Sequence, residues 1–456
     1  MYRQTRKAKG SKRIFLLCMG GAALAAALAC FCVYRLVQPP ASPHSAPPST
    51  EGPGALAEDP SAKEALPSPV DPLPQGFAEI APGWYMRPAA WLDQTGLCRS
   101  VPLYELQAQI PAQIFPLEAE AFQIETIPLE SLQIELELIR FQGGSFLLRE
   151  STGPSLRGCF SPDRQAYIFT AHDPETRCSS LYRLHIPERR LEKLSRDAVG
   201  EYDVRKLNKG LTDGAQLHWA DDPLVSPDGR WIAYQSDRRT YEDFLRSQEA
   251  AGYPSGRDLC DIWVYDTKTG DESLLAREGY IDQWIGDRLI YRCYLNGQDT
   301  YYAVSPLELD AGPERLPIPV TADTLSTEAF LGSTVYGAQE AEGLICYDAA
   351  TGATFSFPIP PTNRYSQMQC SPDRSRMVRL IREDDLQWSL QTAGRDGALV
   401  CLSLPSRAQQ AVEASPYQGI ALLGFWGNNR VLLLGQFEED GIKTSYYILA
   451  DLDRLA

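Results

Sequence analysis

The chain has 456 residues, with 43 basic against 59 acidic side chains and a net charge of −16 at neutral pH. The first 37 residues contain seven basic residues and no acidic ones, so the remainder has 36 basic against 59 acidic residues, a net charge of −23. This acidic body argues against binding to nucleic acid or to anionic lipid surfaces, although acidity is also typical of simple solubility.

The N-terminus has the pattern of a membrane anchor. Residues 1–13 are a basic segment, and residues 14–34 follow as an apolar segment whose first 20 residues carry no charge. About 20 apolar residues span a bilayer, and the flanking positive charge places the N-terminus in the cytoplasm. We therefore expect a single-pass cell-membrane protein with an uncleaved helix and an extracytoplasmic C-terminal domain. A lipoprotein, with Cys30 in a loose lipidation box, and a cleaved signal peptide are the alternatives.

A proline-rich segment, residues 35–76, separates this anchor from the rest of the chain. Residues 38–76 contain eleven prolines and almost no large apolar side chain. Such a segment cannot bury enough surface to offset the entropy of ordering, so we expect a disordered linker. At about 3.1 Å per residue, it could reach on the order of 100 Å from the membrane.

Residues 77–456 have the composition of a β domain, and residues 222–271 show its repeating unit most clearly. In that unit, Ser226, Pro227, Asp228 and Gly229 have the residue types of a tight turn, in which Gly229 accepts a positive φ. Two short apolar runs, 231–234 and 262–265, follow as strands, and residues 266–270 make a second turn. Neither run alternates cleanly, so both faces of this sheet should be covered.

Weaker copies of the unit recur along the chain. They begin near six positions spaced 41 to 64 residues apart, namely Gly158, Asp222, Tyr280, Thr327, Met368 and Gly419. A blade of a β-propeller is about 40–50 residues of four strands. The spacing therefore favours six blades after residue 157, with insertions at the two long steps.

The pairing of Ser-Pro-Asp-Gly with the following Asp-Ile-Trp-Val-Tyr-Asp resembles the repeat of TolB-type β-propellers, over residues 158–456. The resemblance implies an all-β propeller of residues 77–456, and a blade within residues 77–152 makes seven the favoured count, with six to eight compatible. Alternation at 134–139 supports that blade. A closed ring should pair the C-terminal strands with a strand from residues 77–110. An open sandwich or a solenoid is the alternative.

Two segments depart from this scheme. Arg164 and Arg374 replace the turn glycine, and a positive φ costs an arginine about 1 kcal/mol, so these turns could be built differently. The sequence of residues 88–97 predicts a strand, a turn and a second strand.

Eight cysteines lie beyond the anchor, without a Cys-x-x-Cys motif. Cys293, Cys346 and Cys401 fall within apolar strand runs, where cysteine serves as a small hydrophobe. We expect buried free thiols, with a disulfide framework as the alternative.

Motifs for catalysis or cofactor binding are missing from the sequence. It contains four scattered histidines, no Gly-x-Ser-x-Gly elbow and no phosphate-binding glycine loop. Acidic runs lack the ligand rhythm of a calcium loop. The sequence therefore predicts no catalytic residue, cofactor or metal.

Two long insertions are the best candidates for a binding surface. Residues 197–221 join two blades, and residues 237–258 include a predicted short helix at 241–248. In the TolB-like arrangement both emerge on the rim opposite the Ser-Pro-Asp turns, and loops on a rigid scaffold commonly carry binding residues. The candidate residues are the basic and aromatic ones that gather there: Lys206, Lys209, Trp219, Arg238, Arg239, Tyr241, Arg246 and Arg257. Unselected decoration of the ring is the alternative.

The sequence thus predicts a non-catalytic binding or scaffold module for an envelope protein, peptide or glycan. A lyase or glycosidase with carboxylates converging in the channel, or a structural subunit of a membrane complex, is the alternative.

Overall fold

The structure is a computed structural model of the whole chain. It describes residues 73–97, 121–142, 144–150, 158–172, 174, 179–195, 219–238, 260–295, 298–318, 323–328, 333–340, 343–362, 364, 366–383, 387–395, 397–411 and 419–455. The chain divides into two compact units, residues 1–71 and 72–456, and the described residues belong to the second. The predicted basic segment, anchor and most of the linker lie outside them. Among the described residues, no helix is long and apolar enough to cross a membrane.

Strands dominate the described part of the chain. In chain order they are β1 (Ala78–Ala81), β2 (Trp84–Pro88), β3 (Phe122–Leu129), β4 (Ile134–Phe141), β5 (Phe146–Glu150), β6 (Gly158–Phe160), β7 (Ala166–His172), β8 (Ser179–His185), β9 (Arg190–Lys193), β10 (Asp221–Val225), β11 (Trp231–Ser236), β12 (Asp261–Asp266), β13 (Glu272–Ala276), β14 (Tyr280–Ile285), β15 (Arg288–Leu295), β16 (Gln298–Val304), β17 (Glu314–Arg315), β18 (Asp323–Glu328), β19 (Ser333–Glu340), β20 (Gly343–Asp348), β21 (Thr354–Phe357), β22 (Ser366–Cys370), β23 (Arg376–Arg382), β24 (Trp388–Gly394), β25 (Val400–Ser403), β26 (Ile420–Trp426), β27 (Arg430–Glu439) and β28 (Ile442–Asp451). The helices are short: α1 (Ala90–Thr95), α2 (Ser406–Gln409) and α3 (Leu452–Leu455), with 3₁₀ turns at Glu130–Leu132 and Leu309–Ala311.

These strands form seven antiparallel sheets. Blade 1 is β3–β5, blade 2 is β6–β9, blade 3 is β10–β13, blade 4 is β14–β17, blade 5 is β18–β21 and blade 6 is β22–β25. Blade 7 has the order β1-β2-β28-β27-β26, so it combines the first and last strands of the domain. The structure therefore confirms an all-β propeller with seven blades, and the blade predicted within residues 77–152 is blade 1.

The core is divided into seven hydrophobic clusters, each formed by two neighbouring blades. One cluster joins each successive pair of blades from 1 to 7. The seventh joins blade 7 back to blade 1 through residues such as Leu423, Leu432, Ile139 and Leu147. Because every blade is covered on both faces, the strands are apolar on both sides, as their lack of alternation predicts. This closed circuit excludes the sandwich and the solenoid.

Ring closure depends on strand β2. It pairs antiparallel with β28 from Trp84 opposite Ala450 to Pro88 opposite Tyr446. The turn before β2 is then fixed by the C-terminus, because the Asp451 N–H donates to Gly83 O at 2.9 Å. Gly83 has φ +76° and faces Leu455 of α3 so closely that a side chain there would collide with it. The predicted closure by a strand from residues 77–110 is confirmed.

The strand–turn–strand prediction for residues 88–97 is wrong. After β2 the chain forms the helix α1, whose Trp91 and Leu92 are buried in the cluster between blades 7 and 1. The Asp93 carboxylate accepts hydrogen bonds from the Ser445 N–H at 3.0 Å and hydroxyl at 2.7 Å. Tertiary contacts with β28 therefore override the local preference of this segment for strands.

The three Ser-Pro-Asp turns share one construction, so the expectation that the arginine-containing copies differ is also wrong. In each, the serine hydroxyl donates to the aspartate two residues later, at 2.6–2.7 Å. The fourth turn residue has φ +73° at Gly229, +56° at Arg164 and +61° at Arg374.

Each arginine reaches the preceding blade, which offsets its backbone strain. Arg164 lies over the rings of Phe160 and Phe146 and donates to Phe146 O at 2.7 Å. Arg374 forms an ion pair with the buried Asp348.

The alternation of strands gives the ring two distinct rims. The turn face carries the connections between the first and second and between the third and fourth strands of a blade, including all three Ser-Pro-Asp turns. The loop face carries the connections between the second and third strands and those that lead into the next blade. Residues 196–218 and 239–259 both belong to connections of the loop face, as predicted.

Six of the predicted thiols are described, and all six are free. Cys293, Cys346 and Cys370 are buried, and Cys159 and Cys260 are half-buried. Cys401 is exposed, contrary to prediction, because β25 is the outermost strand of blade 6 and one of its faces meets solvent. Cys98 and Cys178 lie outside the described residues.

Candidate functional site

Two of the eight predicted binding residues fall within the described part of the chain, and both are in the interior. Trp219 is 2% exposed and Arg238 is 6% exposed. Lys206, Lys209, Arg239, Tyr241, Arg246 and Arg257 lie outside the described residues, as does the predicted helix at 241–248. The structure brings Trp219 and Arg238 into direct contact at the loop face of blade 3.

Arg238 is held between two indole rings. Its guanidinium carbon lies 4.4 Å from the ring centre of Trp219 and 4.5 Å from that of Trp263. Stacking of this kind suits a guanidinium because it is planar and more weakly hydrated than an ammonium group. Trp219 immediately precedes β10, whereas Trp263 lies near the start of β12, so the arginine bridges two separate segments of the blade.

The charge of Arg238 is balanced by Glu272 on the outermost strand, β13. Arg238 Nη1 lies 3.2 Å from Glu272 Oε2, and both side chains are less than a tenth exposed. The Tyr234 hydroxyl donates to Glu272 Oε1 at 2.7 Å and accepts a 3.4 Å contact from Arg238 Nη2. Burial raises the pKa of Tyr234 well above its usual value, so the phenol stays protonated and remains a donor.

These five residues, Trp219, Tyr234, Arg238, Trp263 and Glu272, form what we call the anchor cluster. Its position explains how the two insertions leave the ring. Residues 196–218 end at Trp219, and residues 239–259 begin directly after Arg238. One end of each insertion is therefore fixed at the same buried point, and Trp219 and Arg238 act as supports beneath the insertions instead of as exposed contacts.

Sequence reasoning missed Tyr234, Trp263 and Glu272 as members of this cluster. Tyr234 and Trp263 stand opposite each other in the β11–β12 ladder. The available signal was an arginine placed directly after an apolar strand, where a charged side chain needs a buried partner. The identity of that acidic partner depends on how the third and fourth strands of the blade align with the second, and the sequence does not give this alignment.

The loop face of blade 6 carries an open cleft, which we call the outer cleft, of about 710 Å³. Arg364 and Glu383 form an ion pair at its edge, and the Ser389 hydroxyl donates to Glu383 at 2.7 Å. Trp388 and Leu404 supply apolar walls. The cleft thus combines a neutralised ion pair with an apolar surface, on the same face as the insertions.

Four of the described thiols, those of Cys159, Cys260, Cys346 and Cys370, are poor nucleophiles. Burial raises the pKa of Cys159, Cys260 and Cys370 to about 12, and it raises the pKa of Cys346 as well. Each therefore remains a protonated thiol at neutral pH, and such a thiol does not attack an electrophile.

Burial raises the pKa of two described carboxyl groups, and these stand on different blades: Asp282 on blade 4 and Glu150 on blade 1. Asp282 accepts a hydrogen bond from the Tyr336 hydroxyl across the interface with blade 5. Within the part of the chain that the structure describes, no cluster of three or more histidine, cysteine or acidic side chains is arranged to hold a metal ion.

The sequence matches no known protein family, and no curated protein is similar to it. Solved structures do resemble it. The β-propeller domain of the Trilobed protease from Pyrococcus furiosus is 11% identical, with a TM-score of 0.38, over 73% of this chain and 86% of that one. TolB from Acinetobacter baumannii is 12% identical, with a TM-score of 0.29, over 72% and 79%.

Oligogalacturonate lyase from Vibrio parahaemolyticus is a third similar structure. It is 10% identical, with a TM-score of 0.41, over 72% of this chain and 96% of the lyase. The three proteins have different activities, and all three TM-scores lie below 0.5. The seven-bladed fold is established by the strand pairings of this chain.

Proposed function

We propose that this protein is a membrane-anchored, extracytoplasmic propeller that binds an envelope protein, peptide or glycan through the loop face of blade 3 and does not itself catalyse a reaction. The residues proposed to meet the partner are Lys206, Lys209, Arg239, Tyr241, Arg246 and Arg257. In this proposal residues 1–13 remain in the cytoplasm, residues 14–34 span the membrane and residues 35–76 act as the tether.

The observation that carries this proposal is the anchor cluster. A blade needs no buried arginine between two tryptophans to form a sheet, and an uncharged apolar group could fill the same space. What the cluster does achieve is to hold Trp219, the residue after 196–218, against Arg238, the residue before 239–259. Loops held at a common rigid base lose less entropy on binding than loops that move independently.

The charge distribution supports an external partner. The body of the chain carries a net charge of −23, and the two insertions are where basic and aromatic residues gather. Aromatic and arginine side chains are enriched at the energetic centres of protein interfaces. The outer cleft of blade 6 also opens on the loop face. The loop face therefore carries more candidate binding features than the turn face.

The test is cross-linking in intact cells followed by purification of the full chain and identification of its partners. The test variant replaces residues 239–257 by a short glycine–serine linker and keeps Arg238, because that residue belongs to the folded core. We expect the variant to lose the partners that the unaltered chain captures.

The matched control is Lys268→Ala, which changes an exposed residue on the turn face of the same blade. It should capture the same partners as the unaltered chain. Recovery of identical partners by the loop-replaced variant, with its melting temperature intact, would show that the insertion is not the binding surface.

A further inference from the structure

A second cleft lies on the loop face between blades 5 and 6. Its volume is about 700 Å³. Pro360, Pro361 and Thr362 of the connection between the two blades form one wall, and Arg379 of β23 and Gln391 of β24 form the other. We call it the inner cleft. Arg364 also borders the outer cleft, so the two clefts share an edge.

Arg379 has an unusual environment for a charged residue. It is 2% exposed, which makes it one of the most completely buried large side chains of the described chain. Its Nε and Nη2 donate to a single oxygen, Gln391 Oε1, and its Nη1 donates to Pro360 O at 2.6 Å. Both acceptors are neutral.

Within the described residues, no carboxylate lies within 4 Å of this guanidinium, so Arg379 has no ion-pair partner there. Glu383, the acidic residue that influences Arg379 from a greater distance, is already paired with Arg364 and hydrogen-bonded to Ser389. Burial lowers the pKa of Arg379, but not enough to remove its charge at neutral pH.

The contrast with Arg238 is informative. Both arginines are buried at the loop face, but Arg238 has Glu272 as a counter-ion, whereas Arg379 has two neutral oxygens. A guanidinium has five N–H donors, and the residues that the structure describes accept three of those on Arg379. A buried charge without a counter-ion is costly unless an anion reaches it.

We propose that the inner cleft is a binding site for an oxyanion, a carboxylate or phosphate group of a small ligand, and that Arg379 supplies its counter-charge. The remaining Nη hydrogens of Arg379 would donate to the anion, in the arrangement in which arginine recognises carboxylate and phosphate groups. Arg364, at the shared edge of the two clefts, is paired with Glu383 and therefore adds little net positive charge. This site is independent of the partner-binding loops of blade 3.

The test measures thermal unfolding of the full chain in mild detergent, in inorganic phosphate, sodium glucuronate or sodium chloride at equal ionic strength and neutral pH. We expect the melting temperature to rise and saturate with phosphate, glucuronate or both, because a ligand that binds only the folded state stabilises it. Whichever anion acts identifies the headgroup. Glucose, which carries no charge, should have no effect.

Arg379→Gln should weaken the apparent affinity for the active anion by about tenfold or more, because a charge-assisted contact is lost. Arg376→Gln removes a charge from the same strand at the opposite rim, where Arg376 pairs with Asp453, and should keep the full response. That control separates binding from the general stabilising effect of phosphate.

Should Arg379→Gln fail to fold, Arg364→Gln gives the same comparison with a smaller expected loss. Equal melting temperatures in all three salts, or an unchanged response in both arginine variants, would overturn the proposal.

Discussion

Buried polar residues have different roles in this ring, and the side chain of Arg238 connects several segments of blade 3. It contacts two tryptophans, a tyrosine and a glutamate that come from four separate stretches of the chain. Removing a guanidinium and a carboxylate from water costs free energy, and their mutual attraction offsets that cost only while both groups are present. The two charges are therefore coupled, and removing either leaves the other buried and alone.

Glu272→Gln should lower the free energy of unfolding by about 3–5 kcal/mol, because it leaves Arg238 without its counter-ion. Glu314→Gln is the matched control: its pair with Arg288 is exposed at the surface. Surface pairs contribute about 0–1 kcal/mol, so that variant should differ little from the unaltered protein. Denaturant unfolding measures both, and similar losses in the two variants would contradict the buried role of Glu272.

The aspartates of the Ser-Pro-Asp turns should make the fold sensitive to acid. The Ser161 hydroxyl and the Gln165 N–H hold the pKa of Asp163 below its usual value. The pKa values of Asp228 and Asp373 are also lowered, because hydrogen bonds from the turn serines and backbone outweigh their burial. A carboxyl group whose pKa is lower in the folded than in the unfolded state stabilises the fold at pH values above its unfolded-state pKa. That stabilisation is lost as the pH falls through the folded-state pKa.

We therefore compare the unaltered chain with the triple variant Ser161→Ala, Ser226→Ala, Ser371→Ala. Its melting temperature should be lower at neutral pH, and the difference should shrink as the pH falls below about 4, where the aspartates become protonated. Melting curves recorded across that range give the comparison. A difference that stays constant with pH would show that these hydrogen bonds do not lower the aspartate pKa values.

At the scale of one element, the Ser-Pro-Asp turn tolerates an arginine at a left-handed position because that arginine contacts the neighbouring blade. For Arg164, the backbone strain is about 1 kcal/mol. Stacking on Phe146 and Phe160 contributes about 0.5–1 kcal/mol for each ring, and the charged hydrogen bond to Phe146 O contributes about 1.5–3 kcal/mol. These contacts, of which those with Phe146 belong to blade 1, outweigh the strain.

Arg164→Gly should consequently destabilise the fold by about 1–2 kcal/mol, although it restores the glycine typical of the repeat. The control is Gly229→Ala at the same turn position of blade 3, which should cost about 1 kcal/mol from backbone strain alone, since Pro162 is no closer than an ordinary contact. Thermal unfolding compares them. A more stable Arg164→Gly variant would show that strain, not the contact between blades, decides this position.

Sequence reasoning reached the repeat and the ring closure because these depend on local patterns. The repeating unit can be recognised in the sequence from its turn residues, such as Asp228 and Gly229, and from the apolar strands that follow them. The helix α1 was missed because its formation depends on Asp93 meeting Ser445 across 352 residues of chain. The counter-ion of Arg238 and the lack of one at Arg379 among the described residues were missed for the same reason: both depend on how the later strands of a blade align with its second strand, which the sequence does not state.

At the scale of the whole molecule, blade 7 holds the ring together. Its central strand β28 lies between β2 from the start of the domain and β27 from its end. Arg454 of α3 reaches Glu79 of β1 at 3.3 Å, so the two termini of the domain are joined by side chains as well as by the strand ladder.

Deleting residues 77–89 should therefore expose the edge of β28 and cause aggregation, because an unpaired apolar edge recruits strands from other chains. Light scattering after size-exclusion chromatography is the measurement. Deletion of residues 40–60 in the proline-rich linker is the control and should leave the elution unchanged. A monomeric, cooperatively folding chain without residues 77–89 would contradict the closure described here.

We propose that the loop face of the closed propeller, and not its turn face, meets the partner. Blade 3 offers a matched pair of exposed positions for the test: Arg277 on the loop face and Lys268 on the turn face. A photo-activatable amino acid placed at each position in the full chain, with illumination of intact cells, measures contact at each rim directly. We expect a discrete cross-linked product from position 277 and none from position 268. Products from position 268 alone, or equally from both, would contradict it.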